Sequence, residues 1–181
     1  GTPALAAAVS NAGGLGFLAA GYLTAEKFAD GIAAVRVATT GPIGVNLFVP
    51  QPSLATPAAL DRYREELTPL VERYGAAPGQ THPDDDAWDA KIDVAADTAP
   101  EMASFTFGCP SAETLARLRT RGVLTAVTVT SLDEAGIAVG AGADVLVVQG
   151  PEAGGHRGTF DPGRRPGEEP LDALLSAVCA A

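Results

Sequence analysis

The sequence predicts an α/β fold on a mainly parallel sheet, either open or an incomplete TIM-barrel-like closure. Three observations predict it. Short apolar runs alternate with helix-patterned segments along the chain, as in repeated strand–helix units. Five such runs read as strands, at 16–20, 42–49, 102–107, 123–129 and 143–148, whereas a closed barrel of this kind needs about eight. Polar side chains collect where the runs end, which is the face on which parallel α/β folds bind ligands.

Taken in order, Pro3 suits a first helical turn because it lacks the N–H that would be unpaired there, and Ala4 to Val9 continue the helix. Asn11 to Gly14 stop it, and GFLAA (16–20) forms a strand. Thr24 caps a helix to Val37 with Phe28, Ile32 and Val35 on one stripe. Pro42 opens the strand PIGVNLFV, apolar inside except for Asn46; Pro50 and Pro52 then turn the chain. Thr56 and Pro57 start a helix over 58–73. Residues 75–98 form an irregular excursion, rich in glycine, proline and acid, which Trp88 anchors before a short helix to Thr98.

The second half is more regular. MASFTF (102–107) is a strand ended by Gly108 and Pro110, and Ser111 caps a helix to Arg121 with Leu115 and Leu118 inward. VLTAVTV (123–129) is the next strand. Ser131 and Glu134 have the spacing of a reciprocal capping box for a helix from Leu132 to Val139, punctuated by Gly140 and Gly142. ADVLVV (143–148) leads into the loop GPEAGGHRG, and LDALLSAV begins a last helix.

Composition narrows the function. A chain of 181 residues with 46% hydrophobic residues reads as one globular unit able to bury a core. Its 12 Lys and Arg against 22 Asp and Glu leave a charge of −10, which opposes phosphate binding along a nucleic acid. Cys109 and Cys179 have neither redox nor zinc spacing and read as free thiols in a reducing compartment. There is no recognisable signal peptide and no run of about 20 apolar residues, so the expectation is a soluble cytoplasmic protein with no membrane partner. The chain begins at Gly1 without Met, which fits processing, a tag scar or an absent upstream segment.

Asn46, Thr128, Thr130 and Gln149 mark strand ends. The two amides can donate and accept at once, so they can read the carbonyl and N–H edge of a planar heterocycle; equally, they can satisfy a neighbouring strand end or loop. Gly154 and Gly155 allow a close backbone approach to a flavin edge or an anion, or simply make a turn. Neither a phosphate-binding GxxxxGK[ST] nor GxGxxG occurs; AGGLG (12–16) follows a helix and precedes a strand, the wrong order for a dinucleotide fold. His156 is the proton-transfer candidate of this loop, or a hydrogen-bonded loop histidine; Glu152 reads first as a solvated carboxylate that could also orient it, and Arg157 equally as an anion holder or a solvent-facing side chain. His82 reads as exposed, and Asp84 to Asp86 read as a solvated acidic turn; no metal site is expected.

Together, AAAVSNAGGLGFLAAG, GPIGVNLFVPQP, SFTFG, TAVTVTS and GADVLVVQGPEAGGHRG resemble the nitronate monooxygenases, formerly 2-nitropropane dioxygenases, over nearly the whole chain. The resemblance implies a TIM-barrel-like flavoprotein that binds FMN and uses molecular oxygen to convert alkyl nitronates, and neutral nitroalkanes, to carbonyl compounds with release of nitrite. It implies that Asn46, Gln149 and Gly154 contact FMN, that Gly155 shapes the same loop, and that His156 is the catalytic residue near the substrate. A homo-oligomer is compatible with it.

The resemblance also implies an incomplete barrel, because the family pattern has an earlier strand and two later ones, with a glycine-rich phosphate loop and another loop near FMN. Those segments would be omitted, removed, disordered or supplied by another chain. Two alternatives stand beside this reading. One is an FMN-dependent enoyl-thioester reductase using NADH or NADPH, which shares AGGLG and EAGGH; the other is a non-catalytic fragment or assembly module.

Overall fold

The computed structural model describes every residue except Pro78 and Pro83. These are the two prolines of the irregular stretch, so that part of the expectation lies outside the described residues. The chain divides into two compact units, one of residues 1–51 with 85–181 and one of residues 52–84.

The first unit is an α/β fold on five parallel strands: β1 (Gly16–Ala19), β2 (Ile43–Phe48), β3 (Met102–Thr106), β4 (Leu124–Val129) and β5 (Val145–Val148). Their spatial order is their chain order. A doubly wound sheet reverses its strand order at a switch point; an unreversed order is that of a barrel wall, here left open.

Helices cover one face. α1 (Pro3–Asn11), α2 (Ala25–Ala38), α4 (Trp88–Thr98), α5 (Ala112–Thr120), α6 (Leu132–Ala141) and α7 (Leu171–Ala180) pack against the strands and their helical neighbours. Alternate strand residues point into this layer: Leu18, Val45, Leu47, Phe105, Val127 and Val129 are buried with Phe28, Ile32 and Val35 of α2 and Leu115 and Leu118 of α5. Each such side chain contributes about 1.5–3 kcal/mol when fully removed from water. Trp88 packs edge-on to Phe105, ring centres 6.0 Å apart, so it belongs to this core.

Helix starts follow the sequence signals. Thr2, Thr24, Ser111 and Ser131 accept from the N–H groups of Leu5, Lys27, Thr114 and Glu134. The capping box at Ser131 is half made. Glu134 does not return to Ser131; its Oε2 accepts from Thr130 N (2.6 Å) and Thr130 Oγ1 (2.8 Å), and its Oε1 from Phe160 N (2.8 Å). A carboxylate with a strand end and a loop to satisfy is drawn away from the cap. Nor does Gly140 end α6, which runs to Ala141 before Gly142 takes the left-handed cap.

Polar staples hold the strand starts. Buried Ser10 donates to Pro42 O (2.7 Å) and accepts from Gly16 N (3.2 Å), tying α1 to the entries of β1 and β2. Gly16 is required there, since a Cβ would collide with the Ala6 carbonyl. Glu101 accepts from Ile43 N (2.7 Å) and Arg36 (3.1 Å); burial pushes its carboxyl up, but these donors outweigh it and hold the group below its ordinary range. Asp144 accepts from Thr125 N (2.9 Å), Thr125 Oγ1 (2.7 Å) and Arg119 Nε (3.3 Å), and the same balance depresses it.

The second unit holds α3 (Pro57–Tyr74), started by Thr56 and ended by Gly75 in the left-handed region. Within it Arg64 donates to Thr81 at 3.3 Å.

Candidate functional site

The sheet face away from the helices carries the polar residues. Register places Ala19, Asn46, Ser104, Ala126 and Val145 in one row across all five strands. One step toward the carboxyl ends, Phe48 pairs with Thr106 and Thr128 with Val147. Phe17 (37% exposed), Val145 (38%) and Val147 (45%) are open on this side, which the helices of the first unit leave uncovered among the described residues. Two hollows lie along it. One, of about 480 Å³, is lined by Phe17, Asn46, Ser104, Thr128 and Val147 among others. The second, of about 510 Å³, includes Thr106, Thr128, Val147, Gln149 and Glu152. Thr128 and Val147 belong to both, so Asn46 and Gln149 line adjoining parts of one face.

The Asn46 amide nitrogen donates to Ser104 Oγ (2.9 Å), Thr106 Oγ1 (3.2 Å) and Ser104 O (3.4 Å). This bonding fixes the amide and leaves Oδ1 without a hydrogen-bond donor among the described residues. Thr130, unlike Thr128, is withdrawn from the face: it is buried and bound to Glu134.

Gln149 continues β5 and braces the glycine-rich loop. Its Nε2 donates to His156 O (3.1 Å) and its Oε1 accepts from Gly158 N (2.8 Å). Gly158 is buried over the strand ends, where a Cβ would sit 3.0 Å from Thr128 Cγ2 and 3.4 Å from Thr106 Cγ2. Gly155 makes the turn with φ +83°, which side chains resist. Gly154, Gly155 and His156 are exposed and line neither hollow. The His156 ring stands edge-on to Phe107, centres 6.1 Å apart at 77°.

Three further residues hold this loop, and the sequence pattern assigned none of them to it. Gln51 Nε2 donates to both Thr159 O and Phe160 O at 3.0 Å, bridging the segment after β2 to the loop after β5. Glu134 takes the Phe160 N–H, and Phe107 meets His156. The enclosure of Gln51 by Pro50 and Pro52 was the available signal, because a stiffened backbone suits a fixed contact.

Other candidates fall elsewhere. Glu152 does not orient His156; both its oxygens accept from Leu171 N (3.2 and 3.3 Å), supplying the cap that Pro170 lacks at the start of α7. Arg157 donates to Gly167 O (3.3 Å), and its Nε is buried without a partner among the described residues. Asp86 departs from the solvated acidic turn: its Oδ1 lies 2.6 Å from buried Lys91 Nζ and accepts from Tyr22 N at 2.9 Å. His82 is exposed in the second unit. Both cysteines are free; burial pushes the Cys109 thiol up, while Cys179 is exposed.

The residues fit the ring of FMN better than its phosphate. The hollows fall within the range of about 300–1,000 Å³ common for cofactor sites, with an apolar floor and two amides. No Lys or Arg lines either hollow among the described residues. No helix among the described residues is long and apolar enough to cross a membrane.

The chain is similar to known proteins in sequence and in fold. The family model for nitronate monooxygenase matches residues 1–181. The chain is 40% identical to a nitronate monooxygenase of Paraburkholderia phytofirmans, covering 98% of this chain and 50% of that protein. It is also 40% identical to one of Pseudomonas aeruginosa, covering 90% and 48%. Among solved structures it resembles a nitroalkane oxidase from Streptomyces ansochromogenes at 43% identity and TM-score 0.89, covering 99% of this chain and 52% of that one. FabK from Thermotoga maritima aligns at 27% identity and TM-score 0.68, covering 99% and 44%. The chain spans about half the length of the curated relatives it matches.

Proposed function

The chain belongs to the nitronate monooxygenase family, and from that premise we propose that it forms the ring-binding and proton-handling part of a flavoenzyme. The reaction is oxidation of alkyl nitronates, and of neutral nitroalkanes, by molecular oxygen to carbonyl compounds with release of nitrite. On this reading residues 1–181 are a central part of an FMN-binding (β/α)8 barrel. The observation that carries it is the adjoining placement of Asn46 and Gln149 on the uncovered sheet face, with Gln149 bonded to the turn that bears His156.

FMN, when bound, supplies the electron acceptance that no side chain provides. Asn46 offers Oδ1 to an N–H edge while Ser104 and Thr106 hold its nitrogen. Gln149, with both ends of its amide engaged by the loop, has its second N–H and second lone pair left for the ring, and Gly154 and Gly155 let the backbone come close. A nitronate is already an electron-rich carbon and needs no protein base. A neutral nitroalkane must first lose its α-proton, which passes to the His156 imidazole and leaves the nitronate and an imidazolium.

The test is a comparison of two substrates. Replacing His156 with Asn lowers turnover of a neutral nitroalkane by about 10²-fold or more, the usual contribution of a general base, with a much smaller loss on the preformed nitronate. Equal losses on both, at normal FMN content, contradict the proton-transfer role.

A further inference from the structure

Among the described residues the His156 ring makes no hydrogen bond or ion pair; its recorded ring contact is Phe107. Phe107 follows β3 with φ +71°, a left-handed backbone that an aromatic side chain adopts at a cost. Such a conformation persists where the surroundings enforce it, and the Phe107 ring makes two aromatic contacts. The Phe107 ring meets Phe48 edge-on at 5.0 Å and 64°. Phe48 in turn meets Tyr22 at 5.7 Å and 73°. Tyr22 is also left-handed, with φ +62°, and its N–H is fixed by Asp86, the partner of buried Lys91. The edge-to-face series therefore runs from Tyr22, whose backbone Asp86 holds, to an exposed imidazole.

We propose that Phe107 is a positioning residue for His156: the backbone turn at 107 swings the ring to the loop after β5 and limits the orientations of the imidazole. The proposal rests on His156 being the base for neutral nitroalkanes. An aromatic edge restrains a ring without donating or accepting a proton, so it aims the histidine and leaves both nitrogens available. The Gln149 clamp fixes the His156 backbone and Phe107 fixes its side chain; the two act on different torsions.

Replacing Phe107 with Gly separates aiming from folding, because glycine relieves the left-handed backbone while removing the ring. Phe107→Asn does the same with a second residue tolerant of that region, should the glycine variant fold poorly. Phe107→Tyr keeps the ring. In FMN-loaded protein, the Gly and Asn variants lower kcat for a neutral nitroalkane by about tenfold relative to any loss on the nitronate, with KM little changed, as expected for a misaimed base. The Tyr variant restores the ratio. A glycine or asparagine variant with the wild-type ratio of the two activities, or a Tyr variant as impaired as glycine, overturns the proposal. His156→Asn in parallel separates the two ideas: if it also leaves the ratio unchanged, the failure lies with histidine as base, and if it alone changes the ratio, the failure lies with Phe107.

Discussion

The Gln149 side chain spans the turn that carries His156, donating to the His156 carbonyl at 3.1 Å and accepting from the Gly158 N–H at 2.8 Å. One amide thus fixes both ends of a three-residue segment. Replacing Gln149 with Leu removes both bonds, each worth about 0.5–1.5 kcal/mol. Hydrogen exchange at Gly158 accelerates by about tenfold or more, since protection there is local. Unchanged exchange contradicts the clamp.

Glu134 secures the far side of the same loop through Phe160 and the end of β4 through Thr130. Glu134→Ala strands two backbone N–H groups and the buried Thr130 hydroxyl at once. Hydrogen bonds to a charged group are worth about 1.5–3 kcal/mol, so the variant loses at least that much in thermal or urea unfolding. Gln51→Ala, which leaves Thr130 untouched, loses about 1–2 kcal/mol and loosens residues 159–160 alone.

The contact of Gly16 with α1 leaves no room for a methyl group. Gly16→Ala therefore separates α1 from β1 and costs about 1–3 kcal/mol or more, visible as a lowered unfolding midpoint. An unshifted midpoint contradicts the close approach. Gly79, with open space around its Cβ position, is the control and loses little as Ala.

Acid acts on the strand starts. Glu101 and Asp144 both have folded pKa values below their ordinary ones. Their contribution is present above the unfolded values, about 4.3 and 3.9, and is lost as pH falls through the lower folded values. Stability thus declines with acid below about pH 4, and Asp144→Asn flattens that decline. Urea unfolding across pH 2–6, a range of about four units around those values, measures it.

How much of this was legible follows from where the information resides. Thr24 with Phe28, Ile32 and Val35, or Ser111 with Leu115 and Leu118, are local patterns: a cap and a stripe at helical spacing specify an element whatever it packs on. All five strands are likewise found within a few residues of their predicted limits, because apolar runs between helices have few other solutions. The chain-ordered parallel sheet follows from the same alternation.

Partner choice was not legible. Nothing local tells Glu134 to leave Ser131 for Phe160, 26 residues on, or Glu152 to cap α7 instead of facing His156. Gln51 reaches across 108 and 109 residues to its two carbonyls. Asp86 sits in a run of acids whose composition suggests solvent, yet a buried lysine claims it. The polar interruption of β2 at Asn46 and the end of β5 at Gln149 stand out in the sequence, and the topology brings them to one sheet face. Which of their atoms stay available depended on neighbours the pattern does not reveal.

The most direct test of the central claim is anaerobic mixing of the FMN-loaded protein with an alkyl nitronate while following flavin absorbance, in parallel with NADH and NADPH. The account predicts bleaching by the nitronate, and nitrite release when oxygen is admitted. Flavin that stays oxidised with nitronate but is reduced rapidly by NADH or NADPH, with turnover of an enoyl thioester, contradicts it.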